Sequence, residues 1–207
     1  MDPEAQRDAW DGFYRREGRV WRGRGLLDLS PRPGTRALDI GCGNGKSSGS
    51  LLEAGCILTG IDHSAAAIAI CKERFPEGRF MLADARRLPF LDRSFDLVLM
   101  VHVLDHLDSE GRREAMEEAW RVLDEGGEIH VLSFGRDDLR YGQGESGDED
   151  HSFLRKGIRY HYMDEEALIS LIPPGCEAGW EEERMPVRFA SGERVRWRLS
   201  ILRPSIE

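Results

Sequence analysis

The sequence predicts an α/β fold: a seven-stranded, mostly parallel sheet with helices on both faces and a terminal antiparallel hairpin. Three observations support this prediction. Short apolar runs of strand length alternate with segments whose apolar residues recur at helical spacing, as in repeated β-α units. One run, FDLVLMV at 95–101, is apolar almost throughout, as in strands buried between two helical layers. The last two strand-like runs have no helix between them, which favours a hairpin.

The individual elements follow from local signals. Apolar, β-branched runs indicate strands, and capping or breaking residues mark the ends of helices, as Ser64 does before one helix and Pro76 does after it. The predicted strands lie at 36–40, 56–62, 79–84, 95–101, 128–134, 176–184 and 194–202. The predicted helices lie at 45–54, 64–75, 109–124 and 164–172, after a helical segment before residue 31.

Composition argues against several classes of protein. A formal charge of −9 does not suit a protein that binds nucleic acid over its whole surface, because such binding needs clustered Lys and Arg. The longest apolar run, 97–104, is far shorter than the roughly 20 residues that span a bilayer, and the N-terminus lacks a signal peptide's apolar stretch. The four cysteines include no C-x-x-C pair, so neither a metal site nor a disulfide framework is predicted. We expect a soluble, cytoplasmic protein without membrane association; its oligomeric state is left open.

A glycine-rich turn, DIGCGNGKSS at 39–48, follows the first strand and opens a helix. A phosphate-binding P-loop, G-x-x-x-x-G-K-[ST], would need glycine where the chain has Ile40. The dinucleotide fingerprint G-x-G-x-x-G fits the first two glycines but needs a third where the chain has Lys46, which we interpret as a solvated residue of the first helical turn. Asp39, just before the turn, would also repel a pyrophosphate. The turn therefore suits another kind of ligand.

A cationic ligand suits Asp39 better, and S-adenosylmethionine is cationic and has no phosphate. The segment LDIGCGNG at 38–45 resembles the first motif of the class I S-adenosylmethionine-dependent methyltransferases, whose fold is Rossmann-like. The resemblance covers about residues 35–134, because FDLVLMVHVLDHL and RVLDEGGEIHV are similar to the family's fourth strand and to the glycine turn before its fifth. It implies a methyltransferase that uses S-adenosyl-L-methionine.

The resemblance also implies roles for individual residues. Asp62 matches the acidic residue that accepts hydrogen bonds from both ribose hydroxyls, and Asp84-Ala85 matches the pair that contacts the adenine. His63 lies where a side chain borders the adenine face. Tyr14 and Trp21 resemble the aromatic residues that, in many relatives, close the N-terminal helices over the methionine end of the cofactor. The predicted cofactor-binding residues are Tyr14, Trp21, Asp39, Gly41, Cys42, Gly43, Asp62, His63, Asp84, Ala85, Val101 and His106.

We expect the whole chain, 1–207, to form a single methyltransferase domain with four parts. These parts are an N-terminal helical cap at 1–30, a cofactor-binding core at 35–134, a substrate-side insertion at 135–163, and a C-terminal helix with two strands at 164–207.

Methyl transfer from a sulfonium is an in-line displacement, so the protein contributes mainly by aligning the reacting atoms and excluding water. A general base matters only for a protonated acceptor. The nearest candidates after the fourth strand are Asp105 and two histidines, His102 and His106, which are the candidate catalytic residues. The family often has a second histidine where this chain has Asp105. His106 is more simply interpreted as packing against the cofactor or the core.

The acceptor is expected to be a small molecule. The insertion lies where the family places substrate-recognition elements, and a loop of that length is usually functional or disordered. Its acidic segment at 145–150 is expected to be mobile. The insertion's pattern is loosely similar to methyltransferases of the tellurite-resistance type. Candidate pocket residues are Tyr141, His151, Tyr160, His161 and Tyr162.

Three alternatives stay open. In RVRWRLSIL, Arg194, Arg196 and Arg198 share one strand face and could bind phosphates, as in tRNA methyltransferases, which the core also resembles; an ordinary solvated face gives the same pattern. The protein could instead bind S-adenosylmethionine without catalysis, as a sensor or partner subunit. A nucleotide-dependent dehydrogenase is the last alternative.

Overall fold

The computed structural model describes residues 3–18, 29–187 and 192–205. Its strands are β1 (Arg36–Ile40), β2 (Ile57–Asp62), β3 (Arg79–Leu82), β4 (Phe95–Val101), β5 (Leu123–Phe134), β6 (Glu145–Ser146), β7 (Ser152–Arg155), β8 (Ile158–His161), β9 (Glu177–Pro186) and β10 (Glu193–Leu202). Its helices are α1 (Pro3–Glu17), α2 (Lys46–Glu53), α3 (Ala65–Arg74), α4 (Ser109–Val122) and α5 (Glu165–Ile169). One 3₁₀ turn lies at Leu104–His106.

Seven strands form one sheet in the order β3-β2-β1-β4-β5-β10-β9. Strands β1 to β5 pair in parallel, and β10 runs antiparallel to both β5 and β9. The predicted fold class, including the terminal hairpin, is confirmed. The chain leaves β1 for β2 on one side and returns to β4 on the other, so the carboxyl ends of β1 and β4 flank the switch point where ligands bind in such sheets.

Both faces of the sheet are covered, which explains its unbroken apolar runs. Leu38 and Ile40 of β1 pack with α4 on one face, whereas Ala37 packs with α2 and α3 on the other. Burial of one large aliphatic side chain contributes about 1.5–3 kcal/mol, so these two layers supply most of the driving force for folding. The central strands are held rigidly between them.

Several predicted boundaries are wrong. The fifth strand begins at Leu123 and not at 128, because Leu123 already pairs with Phe95 when α4 ends, and the ladder then shifts register. The last helix ends at Ile169, since the following amides donate to carbonyls three residues back in tighter turns. Helix α1 ends at Glu17, and residues 19–28 of the predicted N-terminal helical cap lie outside the described residues. Trp21 lies outside the described residues.

The predicted irregular insertion is instead a small antiparallel sheet, β6-β7-β8. Lys156 and Gly157 form a two-residue hairpin turn between β7 and β8, with left-handed φ values of 52° and 77°. Three aligned strands of two to four residues have no strong periodicity, which is why sequence patterns do not reveal them.

Ionic contacts attach this small sheet to the parallel core. The carboxylate of Glu149 accepts hydrogen bonds from the Ser109 amide at 2.7 Å and from Arg112 Nη2 at 3.0 Å, both at the start of α4. Arg159, only 3% exposed, reaches Asp148 at 2.6 Å. Two acids of the segment predicted to be mobile therefore have partners distant in sequence, and its mobility stays a prediction.

The described ranges contain neither a membrane-spanning helix nor a metal-ligand group. No helix among them is both long and apolar enough to cross a bilayer. No three His, Cys, Asp or Glu side chains within residues 3–18, 29–187 and 192–205 come together as ligands for a metal ion. All four cysteines are free.

We predict that Glu149→Ala lowers the free energy of unfolding by about 2 kcal/mol, because buried Arg112 loses its charged partner and the start of α4 loses a hydrogen-bond acceptor. Denaturant titration measures the change, and amide hydrogen exchange should quicken across 145–161 but not in β1. Glu145→Ala, an exposed change in the same sheet, is the control. Equal small effects of both substitutions would contradict the proposed attachment.

Candidate cofactor site and active centre

The turn after β1 requires glycine at three positions. Gly41, Gly43 and Gly45 have φ values of 65°, 54° and 79°, a left-handed region that favours glycine. A Cβ at Gly41 would lie 2.6 Å from Val103, and one at Gly43 would lie 2.6 Å from the Tyr14 hydroxyl. Both the conformation and the packing therefore exclude larger residues from this turn.

Asp62, at the end of β2, is bonded directly to the glycine turn. Its Oδ2 accepts the Gly43 amide at 2.9 Å, and its Oδ1 accepts the Ser64 amide at 2.8 Å. Burial raises the pKa of this carboxyl, while the nearby His63 and the two amides oppose the rise. The predicted partners Gly43 and Asp62 are thus brought together, with the ends of β1 and β2 fixed relative to each other.

Asp39 lies beneath the turn and is 2% exposed. Ser48 Oγ, in the first turn of α2, donates a hydrogen bond of 2.6 Å to its Oδ2. Burial raises the pKa of Asp39 to about 7, although the Ser48 hydrogen bond opposes this and the Asp62 charge adds to it. Two buried acids that repel each other are stabilised by a nearby positive charge.

Helix α1 covers the turn. The Tyr14 side chain is buried, and its hydroxyl lies over Gly43. Asp11 fixes the helix by accepting Ser64 Oγ at 2.9 Å and the Ala66 amide at 2.8 Å, both at the start of α3. The predicted N-terminal aromatic cover is therefore present at Tyr14.

A cavity of about 440 Å³ opens beside the ends of β2 and β3. His63, Asp84 and His106, all predicted cofactor residues, line it, together with residues of α1. Burial would raise the pKa of Asp84, but Arg86, which donates to both of its oxygens, lowers it below the ordinary value. Asp84 is thus a neutralised carboxylate in this structure, unlike Asp39 and Asp62.

His102 and Asp105 form a buried pair directly after β4. His102 Nδ1 lies 2.8 Å from Asp105 Oδ2, and Asp105 Oδ1 accepts the Phe134 amide at 3.0 Å. The His102 backbone is left-handed, with φ 58°, and its ring stacks on Phe134 at 4.1 Å between centroids. Packing and hydrogen bonding together therefore hold an unusual backbone conformation at the edge where ligands bind.

The same pair has perturbed ionisation. Burial, followed by the positive charges of Arg196 and Arg140, lowers the pKa of His102 well below its ordinary value, so the imidazole is neutral. Burial also raises the pKa of Asp105 to about 7. In the tautomer in which Nδ1–H donates to ionised Asp105, the lone pair lies on Nε2, which is buried and has no hydrogen-bond partner in the described part of the chain. His102 can therefore accept a proton.

His106, the second candidate catalytic residue, is held by packing. Its Nδ1–H donates to the Arg159 carbonyl, and its ring packs edge-on against Trp10 at 4.9 Å and Tyr160 at 5.0 Å. Burial lowers its pKa to about 4. The structure supports the simpler interpretation of His106 as a wall of the cavity.

The remaining predicted residues differ in position. Cys42 points into the core, where its Sγ lies 4.0 Å from Cys71 Sγ, so its side chain is not in the cleft. Val101, the last residue of β4, is half-buried and pairs with Leu132. Ala85 packs against the core on the α4 face.

The expectation of a solvated arginine face on β10 is wrong. This strand lies between β5 and β9; Arg196 is 6% exposed, and Arg198 is largely buried and ion-paired with Glu181 of the neighbouring strand β9 at 3.3 Å. Lys46, predicted to be solvated, is half-buried, and Arg196 and Arg194 lower its pKa after the larger effect of burial. Alternation in one strand cannot show whether another strand covers its edge.

We predict that Asp39→Asn stabilises the protein more at pH 8 than at pH 5, by roughly 3 kcal/mol. Folded Asp39, with a pKa near 7, holds a proton that the unfolded chain releases near 3.8, so its contribution falls as pH rises between these values. Urea unfolding at both pH values measures the difference. Asp96→Asn is the control, because Arg36 lowers the pKa of Asp96 and no change is expected in that interval. A pH-independent effect of Asp39→Asn would contradict the elevated pKa.

Comparison with known proteins places this site in a family. A family model described as a methyltransferase domain matches residues 38–131. A putative methyltransferase from Encephalitozoon cuniculi is 32% identical over 162 residues, covering 72% of this chain and 74% of the relative. A Methanosarcina mazei structure described as an S-adenosylmethionine-dependent methyltransferase superposes with a TM-score of 0.75 at 24% identity, over 87% of this chain and 100% of the other.

Other relatives match in part. A demethylmenaquinone methyltransferase from Beutenbergia cavernae is 37% identical over 116 residues, 56% of this chain and 48% of the relative. An Arabidopsis thaliana tRNA (carboxymethyluridine(34)-5-O)-methyltransferase is 41% identical over 99 residues, 47% of this chain and 24% of the relative. The chain thus spans about half or less of the length of these relatives. Together with the more complete match, they show that the chain belongs to the class I family of S-adenosylmethionine-dependent methyltransferases.

Proposed function

We propose that this protein transfers the methyl group of S-adenosylmethionine to a small-molecule acceptor. The observation that carries the proposal is the position of His102, a neutral imidazole with a free Nε2, at the same sheet edge as the glycine turn held by Asp62. The first group can accept a proton, and the second is the family's cofactor-binding feature. A binding protein would need only the second.

The residues present fit a cationic nucleoside. Asp39 and Asp62 are buried carboxylates beside the turn, and no P-loop lysine arrangement accompanies them. The turn's glycines let Tyr14 and Val103 pack directly against its backbone, which places the Tyr14 hydroxyl beside the turn. A pyrophosphate would meet two acids here, whereas a sulfonium and an amino group would be stabilised by them.

Each predicted residue is assigned the part of the cofactor that its chemistry suits. Asp62 would accept the ribose hydroxyls, and His63 with the Asp84-Ala85 pair would border the adenine beside the 440 Å³ cavity. Gly41, Gly43 and Val101 would offer backbone at the carboxyl edge. Tyr14 would close over the methionine end.

The chain's own residues would prepare the acceptor for attack. When bound, S-adenosylmethionine supplies an electrophilic methyl group on positively charged sulfur. His102 Nε2 would take the proton of the acceptor's hydroxyl or amine. At the same time the lone pair of the acceptor's oxygen or nitrogen would bond to the methyl carbon, and the electron pair of the broken C–S bond would stay on sulfur. Asp105 would orient the imidazole and stabilise its positive charge. Burial by α1 and the small sheet would exclude water from the reaction.

A small molecule is favoured over tRNA by the arginine strand. Of the three β10 arginines that suggested phosphate binding, Arg196 is buried, and Arg194 and Arg198 are partly buried and ion-paired with Asp138 and Glu181, so they do not form an external basic stripe. Relatives named demethylmenaquinone methyltransferases support a small acceptor, although this chain spans only about half of their length. The family assignment also replaces the dehydrogenase alternative. A cytoplasmic location stays a prediction.

Incubation with methyl-labelled S-adenosylmethionine and fractionated cell extract tests the proposal. Label should appear in the small-molecule fraction, together with released S-adenosylhomocysteine. Label in the RNA fraction would favour tRNA methylation. Tight cofactor binding without product from any fraction would support a sensor or partner subunit.

We predict that Asp62→Ala weakens S-adenosylmethionine binding at least about tenfold, because a charged acceptor and a support of the turn are both lost. Isothermal calorimetry measures the affinity. Asp92→Ala, on an exposed loop, should leave it unchanged. Unchanged affinity in the Asp62 variant would contradict the ribose assignment.

We also predict that turnover rises as pH increases through about 7. Below that pH the His102–Asp105 pair would hold a second proton, and Nε2 would then be an N–H group that cannot accept the acceptor's proton.

His102→Asn should reduce kcat by about 10²–10⁴-fold and leave cofactor affinity intact. His130→Gln, a change on β5, should leave both kcat and cofactor affinity unchanged. Nitrogen NMR of His102 is an acceptor-independent measurement. Titration of His102 above its ordinary pKa would contradict the assignment.

A further inference from the structure

Four cationic side chains meet near the carboxyl end of β5. Arg194 and Arg196 project from β10, Arg140 lies in the loop after β5, and Lys46 begins α2. Arg196 pairs with Phe134, the last residue of β5, so the two side chains share a sheet face. The guanidinium of Arg140 lies 4.3 Å from the centre of the same Phe134 ring.

This cluster adjoins His102. The His102 ring stacks on Phe134, so imidazole and Arg140 guanidinium both contact that ring. Of the charged groups around His102, Arg196 has the largest effect on its pKa, followed by Arg140 and Arg194. The cations therefore lie beside the proposed base and close to the start of the cofactor turn.

The cluster is not neutralised by its surroundings. Asp138 accepts two side-chain hydrogen bonds from Arg140, at 2.7 and 2.9 Å, and also lies 3.4 Å from Arg194. Glu183, the nearest acid on β9, contacts Arg198 at 3.4 Å. Arg140 and Arg194 thus share the carboxylate of Asp138, while Glu183, opposite Arg196 on β9, is already in contact with Arg198, so the cations outnumber these acids.

Arg196 carries the surplus. It is 6% exposed, and its Nε and Nη1 have no hydrogen-bond partner among the described residues. No ion pair joins it to an acid of the described ranges, although the Glu183 charge is felt across the strand pair. A buried, unpaired guanidinium is costly to the fold, so its presence needs a compensating anion.

We propose that the methyl acceptor carries a carboxylate, which Arg196 binds while His102 receives the acceptor's proton. This inference rests on the proposed function and names its substrate class: a planar hydroxy or amino acid. The Phe134 ring beside both groups offers a flat apolar wall, and a guanidinium pairs with a carboxylate through two parallel hydrogen bonds. The acids beside the glycine turn would then bind the cationic cofactor, and the cations of this cluster would bind the anionic acceptor.

Benzoate and benzamide serve as probes that differ in charge but share size and shape. We expect the full-length protein loaded with S-adenosylhomocysteine to bind benzoate at least about tenfold more tightly than benzamide, as NMR titration measures. Arg196→Gln should reduce this preference to less than about twofold. Arg198→Gln, on the same strand face but already paired with acids, should retain it.

A second readout separates binding from structural support. Arg196→Gln should keep or raise the Tm, because an unpaired buried charge is removed, and it should leave S-adenosylmethionine affinity unchanged in calorimetry. A lower Tm with the benzoate preference intact would overturn the proposal in favour of a structural role. If Arg196→Gln weakens S-adenosylmethionine binding and the wild type shows no benzoate preference, then Arg196 binds the cofactor's own carboxylate, and the proposal is overturned.

The wild-type comparison needs no substitution, so it decides the proposal even if the variant does not fold. Equal affinity for benzoate and benzamide would overturn it. Calorimetry with S-adenosylmethionine on the same sample tests the proposed function separately. Cofactor binding without a benzoate preference rejects only the carboxylate inference, whereas absent cofactor binding rejects the proposed function.

Discussion

The hydrogen bond from the Gly43 amide to the Asp62 carboxylate is the constraint on which the site depends. It joins the turn after β1 to the end of β2, so the two central strands present their ends as one surface. The left-handed glycines allow the amide to point toward that acid, and Tyr14 and Val103 fill the space that side chains would take. Burial strengthens the interaction because water cannot compete for either group.

Around this constraint the molecule separates opposite charges. Asp39 and Asp62 are buried on the side of the glycine turn, whereas Arg140, Arg194 and Arg196 gather beyond β5. His102 lies between the two groups. The acids hold protons more tightly and the histidine less tightly than they would in water, so the edge of one sheet offers a place for a cation and a separate place for an anion.

Local signals sufficed for the first half of the fold but not for the second. The strand RALDI, the Ser64 cap and the apolar run of β4 depend on neighbouring residues, and the structure agrees with them. The small sheet depends on ionic partners far along the chain, such as Glu149 with Arg112, which periodicity cannot reveal. The burial of Arg196 depends on β9 pairing outside β10. The His102–Asp105 pair was within reach of sequence reasoning, but its orientation depends on the Phe134 amide.

Helix α1 and strand β8 share one small core, in which Trp10, Tyr14 and Ile158 pack against Ala67 of α3. This arrangement covers the glycine turn from above. Because Tyr14 contacts Gly43 directly, a nucleoside that binds against this part of the turn would require the helix to move away, and the spent nucleoside would leave by the same path. The rate of ligand exchange, and with it the slowest step of a catalytic cycle, would then depend on how often the contacts between α1 and β8 break.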